Sequence, residues 1–300
     1  MKKILCIIPT LNASKTIVEQ IELLKSDNIE ILVIDSSSDD DTVEILENLG
    51  IETLVIDRKD FDHGGTRALG AKYKQSDIVV FLTQDALPYD KNCIKNLVSV
   101  FEDESVGAVY GRQLPYPNES VFGTHLRLFN YGETSYKREF KDKYKYGIKT
   151  AFLSDSFAAY KTEALKEVGY FKDGLILGED MYAGALLLKA GYKLCYEADA
   201  KVYHSHGYTI LEEFKRYFDI GVFHKSENWI LQEFGKPESE GKKFVLSEWK
   251  YIIKNESIFL LPISFFRIVA KYLGYKLGYK YNSLPLSLVK SFSMHRRWWG

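Results

Sequence analysis

Two adjacent carboxylates, Glu179 and Asp180, directly follow an apolar run and open a segment of helical pattern, in the order Gly178-Glu179-Asp180-Met181. The dipole of a helix N-terminus keeps such a group ionised. Within hydrogen-bond reach of a hydroxyl it can then act as a general base. Two acids at that place also serve as simple capping, so the pair takes its meaning from its neighbours. Upstream, three short apolar runs end in polar residues: Pro9-Thr10-Leu11-Asn12, Asp35-Ser36-Ser37-Ser38 and Thr83-Gln84-Asp85. Asp35 can accept from the imide N–H of a pyrimidine, with the serines in reach of a ribose; a strand-end aspartate equally caps the next helix. Asp85 can hold a divalent cation that keeps several waters and bridges phosphates.

Two more clusters carry chemistry. Phe61-Asp62-His63-Gly64-Gly65-Thr66-Arg67 precedes a helical pattern. Paired glycines allow close backbone approach, helix amides favour anions, and an arginine can fork onto a phosphate. Val202-Tyr203-His204-Ser205-His206 puts two imidazoles on one side of an extended segment, because strand side chains alternate. Either can ligate a metal, and either can be a structural histidine.

The elements that must position these groups are legible in outline. Apolar runs at 3–8, 30–34, 51–56, 78–82 and 107–110 read as strands, and patterns to about 25, at 41–49, 64–74 and 90–102 as the helices between them. Alternation at this spacing means βαβ units and a mostly parallel sheet. Ligands of such a sheet bind outside the carboxyl ends of its strands, where Asn12, Asp35 and Asp85 fall. Beyond residue 112 the expected order is a turn at 114–118, a helix over 122–136, a polar loop over 137–149, a strand at 157–160, helices at 162–168 and 179–189, and a strand at 193–197.

Charge is unevenly spread. The chain carries −1 overall, but from residue 241 onward eleven Lys and Arg face only Glu248 and Glu256, a net +9. An acidic body with a basic, aromatic tail argues against general nucleic-acid binding and for a localised anionic partner. Cys6, Cys93 and Cys195 are odd in number and lack zinc spacing, which argues against a disulfide framework. The apolar run after Met-Lys-Lys stops at Pro9, too soon for a signal peptide. It reads as a first strand, and the protein as cytoplasmic.

Taken in order, these motifs resemble those of family 2 glycosyltransferases of the GT-A fold. The likeness rests on Pro9-Thr10-x-Asn12, Ile34-Asp35-Ser36-Ser37-Ser38-Asp39, the Asp85 strand end and Glu179-Asp180. Phe61-x-His63-Gly64-x-Thr66-Arg67, Gln84-Asp85-Ala86-x-Pro88, Tyr110-Gly111-Arg112-Gln113, His204-Ser205-His206 and Arg216-Tyr217-Phe218 are similar to bacterial rhamnosyltransferases. Ser36, Ala68 and Thr83 depart from the Asp, Asn and Asp of many relatives.

The resemblance implies a Rossmann-like, mostly parallel sheet flanked by helices over 1–225 and a basic, aromatic helical extension over 226–300. It implies an inverting transfer, with L-rhamnose leaving dTDP-β-L-rhamnose for a glycan hydroxyl under Mn²⁺ or Mg²⁺. Asp180 would be the base. Pro9, Thr10, Asn12, Asp35, Ser37, His63, Gly64, Arg67, Gln84 and Asp85 would bind donor, Arg67 at the diphosphate. Asp85 and His204 would hold the metal, and Glu179, Arg112, Asp155 and His206 are candidates on the acceptor side.

A UDP-sugar donor is the alternative within that family. Nucleotidyl transfer is disfavoured because the glycine loop follows the third strand rather than the first. A non-catalytic binding protein is the third reading. In the tail, the apolar stretch at 258–263 is too short and too soon followed by charge to span a bilayer. Its interleaved basic and aromatic residues fit helices on an anionic membrane surface, on the inner face of the plasma membrane if the acceptor is lipid-linked. The lesser reading is helices packed on the catalytic domain or on a second subunit, a homo-oligomer contact.

Overall fold

A computed structural model describes residues 2–26, 28–235 and 238–300. Continuous apolar runs become strands closed on both faces, as expected of a covered sheet. β1 (Ile4–Thr10), α1 (Ile17–Leu24), β2 (Ile29–Asp35), α2 (Thr42–Asn48), β3 (Glu52–Val55), α3 (His63–Tyr73) and β4 (Ile78–Leu82) alternate along the chain. β1 pairs in parallel with β2 and β4, and β2 with β3. Every residue of β4 is buried. This parallel half puts Thr10, Asp35 and the Thr83-Gln84-Asp85 turn at one edge.

Past β4 the sheet is mixed. β5 (Leu87–Pro88), α4 (Cys93–Ser99), β6 (Val106–Leu114), α5 (Val121–Asn130), β7 (Tyr136–Arg138), α6 (Lys143–Tyr146), β8 (Phe157–Lys161), α7 (Thr162–Glu167), α8 (Glu179–Lys189) and β9 (Lys193–Tyr203) come next. The order across the sheet is β3-β2-β1-β4-β8-β6-β9-β5, with β7 also on β9. β8 runs antiparallel to β4 and β6, whereas β6 and β9 are parallel.

Two segments differ from the sequence reading. The helix expected over 122–136 ends at Asn130, and 137–149 is not a simple loop. Its middle forms β7, α6 and flanking 3-10 turns, tied by Arg138 lying over the Tyr136 and Tyr146 rings and donating to the Lys149 carbonyl. The anchors are single residues, which a polar average hides.

The C-terminal part is α9 (Ile210–Ser226), α10 (Asn228–Phe234), α11 (Glu238–Lys254), α12 (Leu261–Tyr279) and α13 (Leu286–Phe292). One apolar layer joins Cys6, Ile8, Val33 and Val80 to α1 and α4. The other joins Leu5, Ile7, Leu32 and Phe81 to α8 and also to Phe218, Ile230, Phe234 and Val289. Residues beyond 225 therefore share the core of the sheet domain.

The apolar tail stretch is longer than expected: Ile258–Tyr279 is one 22-residue helical span containing an 18-residue stretch of mean hydropathy 1.4, long and apolar enough by length and composition to cross a membrane. Its α12 part lies backbone to backbone on α9. A Cβ on Gly278 would stand 1.9 Å from the Phe218 carbonyl oxygen, and one on Gly274 2.3 Å from that of Phe214. Gly278→Val is therefore expected to cost about 1–3 kcal/mol or more in denaturant unfolding. Gly132→Ala, whose Cβ meets nothing within 4 Å, should stay within about 0.5 kcal/mol.

Candidate active site

Glu179 and Asp180 open α8 behind Gly178, which sits at φ 81° with Phe223 of α9 only 2.9 Å from where a Cβ would be. A side chain there would be strained and would clash, so glycine sets the angle at which the pair enters the site. Glu179 is buried and its Oε1 lies 3.0 Å from Arg67 Nη1. Arg67 is itself buried on α3, with Asp155 Oδ2 3.5 Å from its Nε, and Tyr160 OH donates to Asp155 Oδ1 at 2.6 Å. Asp180 is half-buried and accepts from the Met181 N–H at 2.7 Å and the Asp155 N–H at 3.3 Å.

The two neighbours are pushed apart in acidity. Burial opposes ionisation of Glu179, but the Arg67 guanidinium and His63 overcome it and hold the carboxyl below its ordinary value. Asp180 is pushed up to about 7 by burial and by the adjacent Glu179 charge. A carboxylate near 7 is matched to taking a hydroxyl proton at neutral pH. Asp155 is raised well above the usual range by burial, with Arg67 opposing.

The second cluster forms because β5 pairs antiparallel with the end of β9, Leu87 opposite Tyr203. That pairing brings Asp85 to the residues just after β9. His204 Nε2 lies 3.4 Å and His206 Nε2 3.5 Å from Asp85 Oδ2, and the ligand atoms of all three fall within 4.8 Å of one another. His204 Nδ1 is 2.8 Å from Gln113 Oε1, which also accepts from Arg127 Nη1 at 2.6 Å. An oxygen held by an arginine can only accept, so Nδ1 of His204 carries the hydrogen and Nε2 keeps a bare lone pair. Burial holds both imidazoles below their usual value, His206 to about 4. Two neutral imidazole lone pairs and a carboxylate converge, a donor set suited to a cation. The residues fit a divalent metal, with Gln113 fixing the tautomer of one ligand.

The remaining sequence candidates divide. Asp35 is fully buried and accepts from Thr10 Oγ1, Ser38 N–H and Ser38 Oγ, so its carboxylate shapes the loop it ends. Asn12 accepts from the Asp39 N–H, and Gln84 Oε1 accepts from the Leu11 N–H at 2.6 Å beside Pro9, which stitches the β1 and β4 ends together. Ser37 Oγ donates to the Ile56 carbonyl at 2.8 Å.

Gly64 is required by packing, since a Cβ would stand 1.9 Å from the Lys172 carbonyl oxygen. Arg67, expected at a diphosphate, is instead enclosed by carboxylates, and Asp155, expected on the acceptor side, is buried behind it. His206, also expected there, lies with Asp85 and His204. Arg112 is half-buried, 3.1 Å from Glu133.

Sequence reasoning quoted Gln113 only within the Tyr110-Gly111-Arg112-Gln113 motif and gave no role to it or to Tyr160; both act on the site through other side chains. It gave no role to Arg216, which is exposed on α9 over the Tyr208 ring, 5.7 Å from its centroid, while Tyr208 stacks on His206. It also missed residues 293–299. His295 packs edge-on against His63, Asp219 Oδ2 accepts the Met294 N–H, and Trp298 Nε1 donates to the Gly174 carbonyl.

A mixed sheet bearing an acid pair, one member buried and one half-buried, and a metal-capable Asp-His-His set at its carboxyl edge defines a glycosyltransferase of the GT-A fold. Residues 5–169 match the model of glycosyl transferase family 2, and the chain belongs to that family. It is 45% identical over 302 residues to the O-antigen chain rhamnosyltransferase RfbN of Salmonella typhimurium, covering 99% of this chain and 96% of that protein. It is 44% identical over 271 residues to the O-antigen chain rhamnosyltransferase WbaN of Salmonella anatum, covering 90% and 86%. Among solved structures, the mannosyltransferase PcManGT of Pyrobaculum calidifontis with GDP-Man and Mn²⁺ is similar in fold, at TM-score 0.58 and 17% identity over 99% of this chain and 85% of that one. So is the 1–349 fragment of S. aureus TarS with UDP-GlcNAc, at TM-score 0.55 and 16% identity over 94% of this chain and 91% of that fragment.

Folded Asp180, near 7 against an ordinary 3.8, holds a proton that the unfolded chain gives up. Its contribution to stability is present at low pH and fades as pH rises through that window. Turnover should rise with pH and level off above about 7. Asp180→Asn should lower turnover by about 10²–10⁴-fold and flatten the fall of the unfolding midpoint with rising pH, both read from pH profiles. Gln113→Leu, which releases the His204 tautomer, should weaken Mn²⁺ binding by about 10–100-fold in calorimetric titration.

Proposed function

We propose that the protein transfers L-rhamnose from dTDP-β-L-rhamnose to a hydroxyl of a lipid-linked glycan in the assembly of a cell-surface polysaccharide. The observation that carries the sugar is the 45% identity, over nearly the whole of both chains, to a protein described as an O-antigen chain rhamnosyltransferase. The position of Asp180 supports the chemistry. Asp180 takes the proton of the acceptor hydroxyl. The freed oxygen attacks the anomeric carbon from the face opposite the diphosphate, and the bond to the diphosphate breaks with its electrons. A β donor then gives an α-L-rhamnoside, the inversion that belongs to the family.

Asp85, His204 and His206 would hold the metal, which when bound neutralises charge on the departing diphosphate. Two imidazoles beside one carboxylate favour Mn²⁺ over Mg²⁺, which prefers oxygen and water. Arg216, exposed beside this cluster, is the arginine suited to the diphosphate, in place of the enclosed Arg67. Arg67 orders the acid pair and Glu179 holds the ionised position next to the base. The enzyme would work in the cytoplasm, attached peripherally to the inner face of the plasma membrane, where a lipid-linked acceptor is presented.

A panel of nucleotide sugars with the purified protein tests this reading, with donor turnover followed by chromatography. Turnover should be selective for dTDP-rhamnose, be abolished by EDTA and return with Mn²⁺. Preference for a UDP-sugar would overturn the donor, and turnover indifferent to EDTA would overturn the metal role.

A further inference from the structure

Helix α12 is packed inside out. Its buried stripe is Ser264, Arg267, Lys271, Gly274 and Gly278, spaced by three and four residues and turned toward α9 and α11. Arg267 Nη2 and Lys271 Nζ lie 2.8 and 3.1 Å from Glu213 Oε1, a buried carboxylate on α9. Ser264 Oγ donates to Glu248 Oε1 and accepts from Trp249 Nε1, both on α11. The large apolar side chains point the other way. Phe266 is 61% exposed and Tyr272 60%, with Phe265 also more than half exposed, and in the turn before the helix Phe259 is 75% and Ile258 58% exposed. The sequence expectation of basic side chains reaching outward from α12 is thus reversed for Arg267 and Lys271. A soluble helix buries its apolar face, and an apolar face of this extent left outward marks an interaction surface.

We propose that this face, the outer side of α12 with the turn before it, seats in one leaflet of an anionic lipid bilayer and holds the enzyme there by apolar insertion. The inference rests on the peripheral attachment proposed above and specifies its surface and its force. Two observations favour lipid over a second copy of the chain. Lys250, Lys254, Lys276 and Lys280 are exposed around the patch, and the region beyond residue 240 carries +9. Apposing two such faces would set like charges together, whereas anionic headgroups neutralise them. Spanning the bilayer is disfavoured by the inner stripe, because Arg267, Lys271 and Glu213 would have to give up one another.

The test uses the full chain, floated with vesicles of phosphatidylcholine and phosphatidylglycerol, with and without about 1 M NaCl, where charge is screened within about 3 Å. The wild type should float in both. Phe259→Asp/Phe266→Asp should lower the vesicle-bound fraction at least tenfold, with the thermal midpoint and dTDP-rhamnose turnover in solution unchanged; Tyr272→Glu, a second exposed site, should act in the same direction. Failure of the wild type to float at all would end the peripheral-attachment reading itself. Flotation lost in salt and insensitive to these substitutions would leave attachment standing and overturn apolar insertion. A shift from dimer to monomer in the variants, with flotation intact, would give the face to a second copy and overturn the proposal.

Discussion

Arg67 is the charge around which the catalytic region is organised. A guanidinium sealed from water beside Asp155 and the ionised Glu179 is stable only while Glu179 remains in place, and removing one partner of such a buried pair costs about 3–5 kcal/mol. Its position is set by α3, whose first turn is capped by Asp62 accepting from the Gly65 N–H and pressed against the Lys172 carbonyl where only Gly64 fits. Because Arg67 keeps Glu179 ionised, the neighbouring Asp180 feels that charge at close range and becomes the weaker acid. Beyond burial, the raised pKa of the proposed base thus traces back, through Glu179, to a packed cation that need not touch substrate.

The Asp85-His204-His206 cluster obeys a parallel logic with a polar rather than a charged support. Arg127 fixes the Gln113 amide, the amide fixes the His204 tautomer, and the tautomer turns a lone pair toward Asp85. A single strand pairing, β5 on β9, supplies the third group. Each half of the site joins one residue of the parallel half, Arg67 or Asp85, to residues that follow β6 in the chain, Asp155 and Glu179 in one case and His204 and His206 in the other.

Much of this was legible in the sequence, and the remainder fails for identifiable reasons. Strands β1, β2 and β4 are covered on both faces, so burial writes itself as an unbroken apolar run. β7 is three residues of Tyr-Lys-Arg on a sheet margin and carries no such mark. The acid pair and both histidines could be picked out individually. The meeting of the two histidines with Asp85 depends on a two-residue strand that no periodicity reveals. Arg67 reads as a phosphate ligand because it follows two glycines near a helix start; its enclosure depends on Asp155 and Glu179, far along the chain. For α12, spacing shows two faces, but which one turns inward is decided by Glu213 on another helix.

The close approach of α9 and α12 has a geometrical consequence. Glycine-mediated contact of two backbones leaves little room for sliding or tilt, and α9 also carries Arg216 beside the metal-capable cluster. With α12 seated in lipid, the height of the reaction centre above the headgroups is fixed by a rigid pair of rods rather than by a tether. A growing glycan anchored in the same leaflet can offer its terminal hydroxyl only when its own length matches that height. The helix pair would then act as a ruler, selecting acceptors by reach before any sugar is recognised by its shape.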